Sequence, residues 1–170
     1  TNYLEPRAAA ECARLPCLWL RGVLPKDMCL VHPIPPPPVE DNVRVYDPFN
    51  ITPDSNVWPP GLYGTDGSGG KWGSYTPLRR CACGVSRMTG LDAPFTLEWG
   101  AYFPLVGADQ SVPRAELYAI LMVVSKVPSG NIYIVSDSEI NVAMYYKPST
   151  KALGCSSGDL WRALFAHLDA

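Results

Sequence analysis

The chain has 170 residues, 47% of them apolar, and a formal charge of −2. That supports one well-buried domain with a tail or linker rather than two domains. No stretch approaches the roughly 18 to 20 unbroken apolar residues of a membrane span, and no basic-then-apolar signal segment opens the sequence; the expectation is a soluble, intracellular protein, nuclear or cytoplasmic, with no membrane partner.

Residues 1–60 are dense in proline. Pro33 and the run 35–38 favour extended polyproline II, which neither a helix nor a central strand accommodates. This part reads as a linker or wrapping arm. Within it, the segment Cys17-Leu18-Trp19-Leu20-Arg21-Gly22-Val23-Leu24 is too apolar to be well solvated and is expected to dock on the domain, or else on a partner.

From Gly61 the pattern becomes that of strands. A short one over 62–66 runs into Gly67-Ser68-Gly69-Gly70, a turn-forming cluster that leaves Asp66 at the strand's end. Alternation predicts further strands over 81–88 and 95–103, reversing through 88–92, so the three form an antiparallel meander. Cys81 and Cys83 share one face of their strand and are assigned to packing. The spacing of the six cysteines fits neither zinc knuckles nor a disulfide framework.

The stretch 115–127 reads as a helix that is apolar almost all round and therefore buried. Ser111 is placed to cap it, Pro113 suits its first turn and Pro128-Ser129-Gly130 stops it. A β-branched strand over 131–137 follows, then a short helix over 139–146 and a last helix over 159–167, where Asp159 complements the helix dipole. The order βββαβα defines an α/β domain over 61–170: a mixed sheet made of a three-stranded antiparallel meander plus a parallel strand.

Three carboxylates stand out. Glu116 is the only acid in its apolar helix, Asp137 ends a hydrophobic strand where open α/β sheets form ligand crevices, and Asp66 ends the first strand. With the first and fourth strands adjacent and the helix across them, all three converge. Convergent like charges call for a cation, and magnesium or manganese suits an all-oxygen site. Two such ions about 3.5 to 4 Å apart can clamp the attacking water and leaving oxygen of a phosphodiester. Taken singly, each acid has an ordinary alternative: a turn residue for the aspartates, an ion pair with Arg114 or a lysine for Glu116.

The succession Thr65-Asp66-Gly67-Ser68-Gly69, Arg114-Ala115-Glu116-Leu117 and Val135-Ser136-Asp137-Ser138 resembles the type 1 ribonuclease H family, including the domains carried by retroelements. The likeness covers roughly residues 62–168, and Gly158-Asp159-Leu160-Trp161 is similar to the family's later helix. It implies a ribonuclease-H-like mixed sheet with helices on both faces, and metal-dependent endonucleolytic cleavage of RNA in RNA/DNA hybrids. It also implies Asp66, Glu116 and Asp137 as catalytic metal ligands, with Gly67 and Ser68 near a ribose 2′-hydroxyl of the substrate.

Two departures accompany the resemblance. Val112 and Pro113 stand where the family usually has polar residues before the helical Glu, and the family's fifth strand, His-bearing loop and final Asp would follow Leu168, where this sequence stops. The resemblance thus implies a C-terminally incomplete domain from a larger polypeptide. The alternatives are a non-catalytic nucleic-acid-binding or scaffold module on the same fold, and a recombinase- or nuclease-type enzyme acting on DNA. A phosphate-cradling loop at 64–71 fails on spacing, and Ser68 lacks the G-x-S-x-G context of a hydrolase nucleophile.

Overall fold

A computed structural model of the chain describes residues 36–40, 42–52, 54, 56–89 and 94–169, together with 9, 10 and 13. The docking expected of residues 17–24, and positions 90–92 of the reversal, lie outside the described residues. Within them the fold is α/β, with a five-stranded mixed sheet and four helices. The strands are β1 (Arg44–Tyr46), β2 (Gly61–Ser68), β3 (Ala82–Met88), β4 (Leu97–Pro104) and β5 (Ile132–Ser136). The helices are α1 (Val112–Lys126), α2 (Glu139–Tyr145), α3 (Ser149–Leu153) and α4 (Gly158–Leu168).

The sheet runs β1-β4-β3-β2-β5, and only the β2–β5 pair is parallel. The meander β2-β3-β4 and the parallel neighbour β5 follow the order read from the sequence. Side chains alternate across a sheet, and one face of this one carries Tyr63, Cys83, Val85, Trp99, Ala101 and Phe103, all buried. Against it α1 lays Ala115, Ala119, Met122 and Val123, forming the main core. Small residues on that side of the helix let it sit close to the strands.

The other side of α1 is also apolar. It buries Leu117 and Leu121 against Leu160, Trp161 and Leu164 of α4, making a second core. An all-round apolar helix is therefore satisfied by a sheet on one side and a helix on the other. The expected helices on both faces of the sheet are not met among the described residues: α4 packs on α1, while on the far face Tyr102, Tyr133 and Val135 are 54%, 48% and 59% exposed.

The linker boundary at residue 60 falls inside the packed unit. Strand β1 pairs with the free edge of β4, and Val43 and Val45 pack against the core. Trp58 is 1% exposed, with its ring 5.0 Å from Trp99 and its backbone N–H donating to the Lys126 carbonyl. Three residues are too few for alternation to announce a strand, and the surrounding prolines mask the anchor. Pro36–Pro38 form neither helix nor strand, as expected.

Cys81 and Cys83 are free thiols in the core, 2% and 1% exposed. Burial pushes the Cys83 thiol up to about 12, so it stays protonated and donates to the Ala115 carbonyl. Packing is the role they fill. No helix among the described residues is long and apolar enough to cross a membrane.

Candidate metal centre

The sheet register brings the two aspartates together. Thr65 of β2 lies beside Ser136 of β5 in the parallel pair, so Asp66 and Asp137, each one residue further on, emerge side by side. Parallel neighbours are about 4.8 Å apart. Glu116 comes from the beginning of α1, which rests directly on β2 at Gly67: a Cβ there would lie 2.8 Å from both the Glu116 Cγ and its backbone nitrogen. Glycine at this position is what permits the helix to approach.

The result is a cluster in which one carboxylate oxygen from each of Asp66, Glu116 and Asp137 lies within 4.8 Å of the others. Asp66 and Asp137 are exposed and Glu116 is half-buried. Like charges at that separation repel by about 1 kcal/mol per pair even with the screening of bulk water. The all-carboxylate donor set and its access to solvent fit a hard, partly hydrated divalent cation.

Among the described residues, geometry removes the ordinary alternative for Glu116. Arg114 turns away from it and forms a two-pronged ion pair with Asp159, Nη1 to Oδ1 at 2.7 Å and Nη2 to Oδ2 at 2.5 Å. Among the described residues the ion pairs are this one and Arg87 with Glu98, and neither involves the three clustered acids. Asp159 thus does more than complement a helix dipole: it fastens the start of α4 to the start of α1. The Arg114 guanidinium holds its carboxyl down to about 2.

Ser138 and Asn141 were not singled out by sequence reasoning, yet they position the site. Both are buried, at 6% and 5% exposed. The Asn141 amide donates to the Pro113 carbonyl and to Ser138 Oγ, both at 2.9 Å. These bonds fix the turn after Asp137 against the first turn of α1, and so set Asp137 opposite Glu116. The available signal was an Asn inside a short helix that is mostly apolar after Glu139.

Ser68, exposed, accepts a hydrogen bond from the Gly70 backbone N–H and shapes the turn beyond Asp66. On the open face of the sheet, a shallow depression lined by Gly64, Gly84, Ser86 and Val135 leads to Asp66 and Asp137. No protein-family model matches the chain, and no curated protein matches it.

Proposed function

We propose that this is a metal-dependent nuclease domain of ribonuclease H type, cleaving the RNA strand of RNA/DNA hybrids. The observation that carries the reading is the convergence of Asp66, Glu116 and Asp137, whose ligand atoms come within 4.8 Å of one another from three separate elements. The strand order β4-β3-β2-β5 with its parallel β2–β5 pair is consistent with a ribonuclease-H-like fold.

In this reading the three carboxylates hold magnesium or manganese. Bound there, the ions would supply an activated water and neutralise charge building on the phosphate. The protein's own part is positioning. Asp66 and Asp137 are fixed by the β2–β5 register, Glu116 by the close seat of α1 on Gly67, and Asp137 again by Asn141 and Ser138. The open depression gives a wide duplex room to approach, and the Gly67-Ser68 backbone contributes contacts near a ribose 2′-hydroxyl, the group that distinguishes RNA from DNA.

The test is cleavage of a labelled RNA/DNA hybrid, with single-stranded RNA and duplex DNA as controls, in magnesium or manganese. The wild-type chain is expected to cut the hybrid, and Asp137→Asn to lose at least a hundredfold in rate, about 2.7 kcal/mol of barrier. Preferential cutting of duplex DNA would favour a recombinase-type enzyme. No cutting by a folded chain that still binds the hybrid would favour a binding module.

A further inference from the structure

The stretch that follows Asp66 is cationic. Between Asp66 and Asp92 there is no acidic residue, yet there are four cations, Lys71, Arg79, Arg80 and Arg87, in a protein whose net charge is −2. Lys71, Arg79 and Arg80 belong to the connection between β2 and β3, together with the aromatics Trp72 and Tyr75.

This connection folds back toward the carboxylates. A Cβ on Gly69 would meet the Gly73 Cα at 3.0 Å, Val112 Cγ2 at 3.5 Å and Arg79 Cδ at 3.8 Å. Val112 opens α1, and Glu116 lies one turn further on. The stem of Arg79 therefore sits beside the helix start that presents Glu116, at the end of the sheet where Asp66 and Asp137 emerge.

The loop is also held in shape. Gly73 N–H donates to the Gly70 carbonyl, Tyr75 N–H to that of Trp72, and Arg79 Nε to that of Gly73. A single turn of 3₁₀ helix, Thr76–Leu78, anchors it through Leu78, 1% exposed. Arg80 is spent on structure, donating to the carbonyls of Pro36, Pro77 and Arg79. On this frame the Trp72 and Tyr75 rings meet edge to face with centroids 6.4 Å apart, and Lys71 Nζ lies 5.0 Å from the Trp72 ring.

We propose that this loop is a binding platform for one strand of a nucleic acid entering the carboxylate site: Lys71 and Arg79 face its phosphates, and the exposed Tyr75 ring offers a stacking surface to its bases. The choice of ligand rests on the reading of the carboxylates as a nuclease centre. An acidic site repels the polyanion it must cut, and a preformed cationic and aromatic loop at its edge offsets that repulsion. Base stacking on an aromatic ring tolerates any sequence, as a nuclease without sequence preference requires.

The experiment measures binding apart from cutting. Anisotropy of a labelled RNA/DNA hybrid is titrated with the full chain carrying Asp137→Asn, with and without Lys71→Ala or Tyr75→Ala, across a salt series. Tyr75→Ala is expected to weaken binding about tenfold. Lys71→Ala, at an exposed position, is expected to reduce the slope of log K against log salt by about one while leaving the melting temperature unchanged. Hybrid binding that neither change alters overturns the loop's role and leaves the nuclease reading intact. Binding that both changes weaken, by a protein whose wild type never cuts, supports the loop and overturns the nuclease reading. A folded protein that binds no hybrid overturns the loop proposal outright.

Discussion

Two glycines beside the carboxylates are expected to answer differently to the same substitution. At Gly67 a methyl group would press on the Glu116 backbone, which cannot move without lifting α1, whereas at Gly84, the cross-strand partner of Asp66, a Cβ meets nothing within 4 Å. Gly67→Ala should cost about 1–3 kcal/mol through overpacking and displace Glu116 from its partners. Gly84→Ala should leave stability unchanged or slightly higher, since glycine is itself unfavourable within a strand. Thermal melts of the two variants check this, and equal melting points would contradict it. Sequence showed Gly67 as part of a turn cluster; that the helix rests on it was not legible, because the contact joins residues 49 positions apart. Asn141 was missed for the same reason, its partner Pro113 lying on another helix.

The elements themselves were largely legible because their signals are local. The period of α1, the proline in its first turn and the stop after Lys126 all agree with the structure, although Ser111, in the capping position, makes no side-chain capping bond. What periodicity could not assign was which side of an all-round apolar helix meets the sheet and which meets α4. The Arg114–Asp159 pair is the polar clasp of that second contact. Asp159 has its pKa depressed to about 2, chiefly by the Arg114 hydrogen bonds. Its contribution to stability is therefore present above the unfolded value near 4 and lost as pH falls from there through about 2. Because the Asp159 side chain is 58% exposed, the contribution is about 1 kcal/mol or less. In urea unfolding, Asp159→Asn should be less stable than wild type at neutral pH, and the gap should close between about pH 4 and 2. A gap that stays constant through that range would show that the clasp does not depend on the carboxylate's charge.

At the scale of the whole molecule, the order of strands was readable from the sequence, and the extent of the packed unit was not. Strand β1 and Trp58 reach the core from a segment whose composition looks like a tether, because three extended residues and one tryptophan carry no periodic signal. The open sheet face was also missed, since alternation alone does not say what covers the outward side chains. The convergence of the acids was anticipated from their places at strand ends and at a helix start, and it follows physically from the β2–β5 register and the seat of α1.

A sheet and helix that bring three carboxylates together, with no cation paired to them among the described residues, store repulsion that a divalent ion relieves. The most direct measurement is a thermal melt of wild type and Asp137→Asn, each in chelator and in magnesium. In chelator the Asn variant should melt higher, having shed a like charge. In magnesium at about a hundred times its Kd, wild type should gain about 2.7 kcal/mol, which for a chain of this size is a rise of roughly 5 to 10 °C, and the variant should gain far less. Identical curves for both proteins under both conditions would mean that Asp66, Glu116 and Asp137 are neighbours without a shared metal.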